Sequence, residues 1–337
     1  MMKYTCLLRP HANGRYQAGV MPLALSEIRL LARQCGVEIQ PSVRAEMGLD
    51  WIDFEAPMLD EKAVRQLAGS AHIYLISQIF EGGLMKPLTS SVESYLGDDL
   101  PYVLKYKGKT NETFTRFLIN MALCSSAFSA EEPLTLLDPM CGRGTTLFEA
   151  LNRGWNAMGV DVQAADVDEG GKFFKRYLEY HRLKHTVSRK SMTAKGREAA
   201  VIQKFEFAKD AASFKAGDTR SLSLSVIDSG RLGQLGVKGQ FHLLAADLPY
   251  GVQHAPGGQK GKSLQQMVKD VLPAWRDALL PGGAMALAFN VNTLKLEFVR
   301  EAMEEAGLKV MRGEGYDGLE HWVEQAISRD VAVAVRV

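Results

Sequence analysis

The pattern of apolar and polar positions divides this chain of 337 residues into two parts. In the first part, short alternating runs such as residues 4–8 and 51–54 are typical of strands, and longer runs at 21–33 and 61–68 have helical spacing. The predicted order is strand, helix, strand, strand, helix, strand. Because this order is typical of a ferredoxin-like α+β sandwich, we predict a small ferredoxin-like domain over residues 1–95.

In the second part, residues 131–337, apolar strand-like runs alternate with helical runs. The clearest strand-like runs cover residues 134–138, 156–161, 241–247 and 284–289. This alternation predicts an α/β fold with a doubly wound, Rossmann-like parallel sheet of about seven strands. Residues 96–130 contain an apolar helix and are predicted to be a helical linker. A basic insert at about 171–215 interrupts the pattern.

Composition narrows the class of protein. The charged fraction is 23% and the net charge is +1, so global charge does not indicate a nucleic-acid partner. The four cysteines are scattered without a C-x-x-C pair, which argues against a cysteine-rich zinc site and favours a reducing compartment. No run is long enough to span a membrane, and residues 1–4 lead into a strand. We expect a cytoplasmic protein without metal or membrane association.

One strand–turn–helix unit carries the first candidate chemistry. The apolar run at 134–137 ends in Asp138, and Gly142 and Gly144 form a tight turn before a helix-prone segment. Glycines allow a ligand to approach the backbone closely, and free N–H groups at a helix start favour a polar group. Asp161 ends the next strand about twenty residues later, where an acid can hold a ribose diol. We therefore predict a cofactor that contains adenosine.

The turn differs from the dinucleotide-binding pattern. Leu147 stands where the third small residue of that pattern would fall, which argues against NAD and FAD. Asp138 would repel a pyrophosphate but suits a cationic ligand, such as S-adenosylmethionine. The segment from Asp138 to Thr145 resembles the first motif of class I methyltransferases that methylate exocyclic amines of bases.

A second motif strengthens this resemblance. Asp247-Leu248-Pro249-Tyr250 is similar to the Asp/Asn-Pro-Pro-Tyr signature of amino-methyltransferases, with Leu248 in place of the first proline. Alone, it also fits an ordinary strand exit. A carboxylate and a neighbouring main-chain carbonyl can accept both N–H bonds of the amine and orient its lone pair. Tyr250 could stack on a base that has left its helix.

The motif order, with Asp leading the second motif and Gly251 following Tyr250, is similar to that of the THUMP-associated tRNA (guanine-N2)-methyltransferases. In that family a ferredoxin-like module precedes the catalytic domain, but too little sequence remains here for a THUMP unit. The resemblance implies catalytic roles for Asp247, Leu248, Pro249 and Tyr250. A run at residues 205–208 is a plausible third strand. The resemblance implies cofactor contacts from Asp138, Met140, Cys141, Gly142, Gly144, Thr145, Asp161 and Val162, from an acid after that third strand (Asp218 with Thr219), and from the upstream helix (Asn111 and Thr113).

The basic insert is the candidate RNA surface. Its Lys/Arg residues form a local excess in a chain of balanced charge, which is the footprint expected for phosphate contacts, although a charge run can also be a solvated face. We assign substrate contacts to Lys172, Lys175 and Arg176, and to Lys260 and Lys262 in a later glycine-rich loop. Residues 186–196 are expected to be mobile.

The sequence is compatible with three functions. The favoured one is S-adenosylmethionine-dependent methylation of guanine N2 in RNA, with tRNA the expected partner. The alternatives are a DNA adenine-N6 methyltransferase, for which a sizeable target-recognition domain is lacking, and a non-catalytic RNA-binding subunit with a methyltransferase fold. A homodimer or a partner subunit is compatible with each.

Overall fold

The computed structural model describes residues 1–11, 14–88, 94–106, 108–194, 197–250 and 263–337. Contacts divide the chain into two compact units, residues 1–93 with 312–331 and residues 94–311 with 332–337. Residues 312–331, which the sequence analysis places in the catalytic domain, thus group with the first unit.

The first unit has the predicted element order, followed by one further edge strand. Its elements are β1 (Met2–Leu8), α1 (Gly14–Gln34), β2 (Ser42–Glu46), β3 (Leu49–Ala56), α2 (Glu61–Ala68), β4 (Ile73–Ile79) and β5 (Met85–Leu88). The strands form an antiparallel sheet in the order β2-β3-β1-β4-β5. Leu23, Ile28 and Leu31 of α1 are fully buried, as their helical spacing predicts.

A buried polar cluster lies inside the first unit. Glu27 of α1 is 1% exposed and accepts hydrogen bonds from Ser70 Oγ and from the Ala71 amide, and it contacts His72 Nδ1 at 3.0 Å. Burial acts to raise the pKa of Glu27, but the hydrogen bond and charge of His72, with the other donors, lower it to about 2. This cluster ties α1 to the start of β4.

The second unit contains the remaining elements up to residue 311. In chain order they are α3 (Leu100–Val103), α4 (Glu112–Ser125), β6 (Thr135–Asp138), α5 (Thr145–Asn152), β7 (Asn156–Asp161), α6 (Ala164–Tyr180), β8 (His185–Ala194), β9 (Arg197–Phe207), α7 (Ala211–Ala216), β10 (Arg220–Val226), β11 (Phe241–Asp247), α8 (Leu264–Ala278), β12 (Leu279–Asn290), α9 (Leu296–Glu305) and β13 (Lys309–Val310). Then follow β14 (His321–Glu324) and β15 (Ile327–Val335).

The second sheet is larger than predicted. Its strand order is β13-β15-β12-β11-β6-β7-β10-β9-β8, and β14 pairs with β15, giving ten strands in the described residues. β12, β11, β6, β7 and β10 are parallel neighbours, as expected for a doubly wound sheet. The prediction of about seven strands is wrong because β8, β10 and β14 were not recognised. The basic insert folds into the antiparallel hairpin β8–β9.

That hairpin also corrects the expectation of a mobile segment for residues 186–194, and residues 195 and 196 lie outside the described residues. His185–Ala194 is strand β8, which pairs with β9 along its whole length. β9 pairs in turn with β10 and buries Phe205 and Phe207 against Phe174 of α6. The aromatic residues of α6 therefore anchor the insert to the sheet.

Helices cover the parallel strands and fix their carboxyl ends. Trp275, Leu272 and Val268 of α8 are fully buried in a cluster with residues of β11 and β12. α4 buries Phe114 and Phe117. At roughly 25 cal/mol per Å² of apolar surface, each such aromatic residue contributes several kcal/mol to this packing. The carboxyl edge of the sheet is thereby held rigid.

Candidate active site

The glycine turn between β6 and α5 holds the backbone in a conformation that depends on glycine. Gly144 has φ 98° and precedes the first residue of α5. A Cβ at Gly159 of β7 would lie 2.5 Å from Leu147 and 2.7 Å from Cys141 Sγ, so only glycine allows β7 to pass this close. The Gly142 amide donates to Asp161 Oδ2 at 2.9 Å. The turn and the acid after β7 therefore form one rigid unit.

Three predicted acids end three neighbouring parallel strands. Asp138 ends β6, Asp161 ends β7 and Asp247 ends β11. Burial raises the pKa of Asp138 to about 7; the Met140 amide and the Thr146 side chain act to lower it, and the charges of Asp161 and Asp247 raise it further. Concentrated negative charge in a buried place suits a cationic ligand.

A cavity of about 190 Å³ opens at this edge of the sheet. Its lining residues come from the segments after β6, β7, β10 and β11: Pro139, Met140, Asp161, Val162, Gln163, Asp166, Ile227, Ser229, Asp247 and Pro249. Met140, Asp161, Val162, Asp247 and Pro249 were predicted from the sequence. Pro139, Gln163, Asp166, Ile227 and Ser229 were not, and only sequence proximity to Asp138 or Asp161 could have indicated Pro139 and Gln163.

The prediction for the acid after the third strand is wrong in position. Asp218 and Thr219 precede β10 and lie at its amino end, whereas Asp161 pairs with Val226 at its carboxyl end. At about 3.3 Å per residue, the length of β10 separates them from the cavity by roughly 20 Å. The strand assumed at residues 205–208 is part of the antiparallel β9, which displaced the assignment.

Asp218 has a local role instead. Its carboxylate pairs with Arg220 Nη1 at 2.7 Å. The acid that does follow the third parallel strand is Asp228, whose carboxylate accepts from the Gly230 amide and begins a 3₁₀ helix, Ser229–Leu235. The alternation of Leu222, Leu224 and Val226 is the signal that could have located β10.

Asp247 is held by two hydroxyl groups. Thr110 Oγ1, from the segment before α4, donates to Asp247 Oδ2 at 2.8 Å. The Tyr250 hydroxyl lies 2.6 and 2.7 Å from the two oxygens of Asp247. Both contacts fix the carboxylate at the edge of the cavity. The sequence did not indicate Thr110 as a site residue, because no local pattern links it to Asp247.

The other two residues of the second motif are placed differently. Leu248 is 1% exposed and packs in the hydrophobic cluster under α8, and its amide donates to Ala288 O at 2.8 Å. Its side chain therefore does not face the cavity, and only its carbonyl could contact a ligand. Pro249 lines the cavity.

The segment before α4 also contacts the glycine turn. The Tyr106 hydroxyl lies 3.2 Å from Thr145 Oγ1, and the Arg143 guanidinium lies 4.6 Å from the centre of the Tyr106 ring. Arg143 forms ion pairs with Asp166 and Glu169 of α6 at 2.9 and 3.0 Å. Tyr106 and Thr110, both in the segment before α4, thus contact the first motif and Asp247 respectively.

Asn111, Thr113 and Cys141 were predicted to contact the cofactor, but none of them lines the cavity. Asn111 caps α4 by accepting from the Phe114 amide, and Thr113 lies in the first turn; neither lines the cavity. Cys141 is buried, and burial raises the pKa of its thiol well above the usual value. A thiol in this state is not a nucleophile.

Three of the cations predicted to bind substrate lie on α6, and their role in binding stays a prediction. Lys172 and Lys175 pair with Asp168 and Glu179 at 2.6 and 3.5 Å, and Arg176 Nε donates to the Lys172 carbonyl. The two lysines therefore have acidic partners on the same helix, whereas Arg176 has none among the described residues. Lys260 and Lys262 lie outside the described residues.

A comparison with protein-family models identifies the domain that contains this site. The family model of UPF0020, the RMKL-like methyltransferase domain, matches residues 105–319, nearly two thirds of the chain. The chain belongs to this family. The RMKL-like domain therefore includes the glycine turn, the cavity and Asp247. A search of curated protein sequences found no match.

Solved structures similar to this RMKL-like protein are distant. TrmN from Thermus thermophilus is 13% identical over the whole of both chains, with a TM-score of 0.45. A TehB-like SAM-dependent methyltransferase from Corynebacterium glutamicum is 14% identical over 61% of this chain and 82% of its own, with a TM-score of 0.36. A mutant of the 16S rRNA (adenine(1408)-N(1))-methyltransferase from Catenulisporales acidiphilia is 13% identical over 68% and 92%, with a TM-score of 0.35. No conclusion about the substrate rests on these similarities.

Two further observations concern membrane-spanning helices and metal-binding groups. No helix in the described part of the chain is long and apolar enough to cross a membrane. Among the same residues, no group of three or more His, Cys, Asp and Glu side chains is arranged to hold a metal ion.

Proposed function

We propose that this protein transfers a methyl group from S-adenosylmethionine to an exocyclic amine of a base in RNA, with guanine N2 of tRNA as the expected target. The observation that carries the proposal is the placement of Asp247. Its carboxylate is oriented by Thr110 and Tyr250 at the edge of a cavity that also contains Asp161. The RMKL-like methyltransferase family supports the reaction class.

The residues around the cavity fit S-adenosylmethionine. This cofactor supplies a methyl group on a sulfonium centre and carries an ammonium group. Asp138, buried next to the lining residues Pro139 and Met140 and with a pKa near 7, would favour the positive charge electrostatically, and Asp161 would accept hydrogen bonds from the ribose hydroxyls. Met140, Val162 and Ile227 would contact the purine and the methionine chain. The glycine turn lets the cofactor approach the backbone.

The chain's own residues provide orientation and charge stabilisation. A base amine has its lone pair delocalised into the ring, so acceptors for its N–H bonds are needed to direct that lone pair outward. Asp247 Oδ1 and the Leu248 carbonyl are the proposed acceptors, and Pro249 fixes the loop between them and Tyr250. Positive charge that develops on nitrogen is stabilised by the carboxylate, which can also receive the departing proton.

Tyr250 has to change partners when substrate binds. Its hydroxyl occupies both oxygens of Asp247, where the N–H bonds of the amine would be accepted. The incoming base would replace this contact and free the tyrosine ring to stack on it. Thr110 would keep its bond to Oδ2 throughout. No covalent intermediate with the enzyme is required, in keeping with the buried state of Cys141.

The first unit would assist RNA capture. Its order strand, helix, strand, strand, helix, strand and its antiparallel sheet order β2-β3-β1-β4 correspond to ferredoxin-like topology. We include this unit in the proposal as a ferredoxin-like module of an RNA enzyme.

The test uses S-adenosylmethionine labelled in its methyl group, unmodified tRNA transcripts and genomic DNA in parallel, followed by nucleoside digestion. We expect label in N2-methylguanosine from RNA. Asp247→Ala should lower the rate by at least about 100-fold, because alanine offers the amine neither a hydrogen-bond acceptor nor a negative charge.

Asp218→Ala is the matched control, because Asp218 lies at the opposite end of β10 and its replacement should leave the rate unchanged. Label only in N6-methyladenine from DNA would overturn the RNA assignment. Full activity of Asp247→Ala would overturn the role of Asp247.

A further inference from the structure

An uncompensated row of positive charge lies along the outer edge of the second sheet. Residues 180–197 contain six Lys and Arg residues and no Asp or Glu. Four of these cations have described side chains, all exposed, on β8 or in the turn before it: Arg182, Lys184, Arg189 and Lys190. We call these four residues the β8 stripe.

The β8 stripe differs in its electrostatics from those lysines of the basic insert that are paired with acids. On α6, Lys172 and Lys175 are neutralised by acids one turn away, and on β9, Lys204 pairs with Glu206 at 3.5 Å. Within the described residues, none of the four stripe cations forms an ion pair. Their field is therefore directed into solvent rather than cancelled within the fold.

The strand register orients the β8 stripe relative to the cavity. Arg189 and Lys190 pair with Gln203 and Ile202 of β9, which pair with Leu224 and Ser225 near the carboxyl end of β10. The next segment of the chain after β10 contributes Ile227 and Ser229 to the cavity. Arg182 and Lys184 lie toward the amino end, so the stripe runs along the strand for roughly 20 Å.

Hydrophobic contacts make this surface rigid. Met192 of β8 and Ile202 of β9 pack against the cluster that also contains Leu232 and Leu235 of the 3₁₀ helix Ser229–Leu235. That helix begins with Ser229, which lines the cavity. The end of the stripe that contains Arg189 and Lys190 is thus connected to the cavity wall through packed side chains.

We propose that the β8 stripe is a docking surface for the phosphate backbone of the RNA substrate, which it guides toward the cavity at the carboxyl edge of the sheet. This inference rests on the proposed function for the choice of RNA as the polyanion. It moves the phosphate contacts from the helix α6 to the strand edge. Phosphates are held there by exposed cations distributed along the strand edge, on both faces of it, without base readout.

The experiment compares two variants with four charges removed in each. The first replaces the β8 stripe: Arg182→Gln, Lys184→Gln, Arg189→Gln and Lys190→Gln. The second removes four lysines that are paired with acids: Lys172→Gln, Lys175→Gln, Lys204→Gln and Lys269→Gln. Circular dichroism and binding of S-adenosylmethionine establish that each variant is folded.

Binding of a fluorescein-labelled, unmodified tRNA transcript is measured by anisotropy over a series of salt concentrations. Each lost phosphate contact lowers the slope of log K against log salt by about 0.7, so the stripe variant should lose about 3 units of slope. Wild-type affinity should then fall about 50-fold more than that of the stripe variant between roughly 50 and 200 mM salt. The paired-lysine variant should retain the wild-type slope.

The outcomes separate this inference from the proposed function. Equal slopes in the stripe variant and the wild type would overturn the docking surface, and the charges would then serve only to protect an exposed sheet edge from pairing. If wild type methylates RNA in that case, the proposed function survives. Stripe-dependent binding without methyl transfer would instead reject the proposed function. Binding of wild type to phosphatidylserine vesicles but not to tRNA would also overturn the inference.

Discussion

Replacing Asp138 by asparagine should stabilise the ligand-free protein by an amount that grows with pH. Asp138 is 3% exposed, and burial is the main reason why its pKa is raised to about 7. The pKa of Asp138 is about 7 in the folded protein and 3.8 in the unfolded chain. Its contribution to the free energy of unfolding is therefore fully present below pH 3.8 and is lost as the pH rises through about 7. Asparagine cannot ionise, and its side-chain oxygen can still accept from the Met140 amide.

The magnitude follows from the two pKa values. Between about pH 5.5 and about pH 8, linkage predicts that wild type loses about 2 kcal/mol of unfolding free energy relative to the variant. For a unit of this size, that difference corresponds to about 4–8 °C in Tm. The quantity of interest is the change with pH in the difference between the unfolding free energies of variant and wild type. Any effect of the substitution that does not depend on pH therefore cancels.

Differential scanning calorimetry of ligand-free proteins at the two pH values is the assay, because it can separate the transitions of the two units. Asp53→Asn provides a control of opposite sign. Burial acts to raise the pKa of Asp53, but Arg44 and Thr5 hold it below its usual value. This substitution should destabilise the protein equally at both pH values. A difference between Asp138→Asn and wild type that does not change with pH would refute the reasoning.

Three further predictions concern the same groups and the first unit. The affinity for S-adenosylmethionine should rise with pH until Asp138 is ionised near pH 7, and calorimetric titration of Asp138→Asn should show weaker binding without this dependence. Thr110→Val should lower kcat about tenfold by releasing the Asp247 carboxylate, with cofactor affinity intact, and Thr110→Ser should restore it. Because its folded pKa is depressed, Glu27 contributes stability above about pH 4.5 that is lost as pH falls toward 2; acid titration of Glu27→Gln should show a weaker loss over this range.

Much of the candidate site could be predicted from the sequence because its signals are local. An apolar strand that ends in an acid, a glycine turn and a helix start within a few residues specify the turn at Asp138–Thr145 without reference to the rest of the chain. Parallel strands bring their carboxyl ends to one edge, so Asp161 and Asp247 follow from the same rule. The order of elements in the first unit was equally accessible, since periodicity distinguishes strands from helices.

Other features depend on pairings that no local pattern specifies. The contact between Thr110 and Asp247 joins residues 137 positions apart. An alternating run defines a strand but not its partner, and for this reason β9 was mistaken for the third parallel strand and Asp218 for the acid that follows it. Only the tertiary structure decided that the basic insert is a hairpin at the sheet edge, because antiparallel pairing and the burial of Phe205 and Phe207 against α6 outweigh the low apolar content of β8 itself.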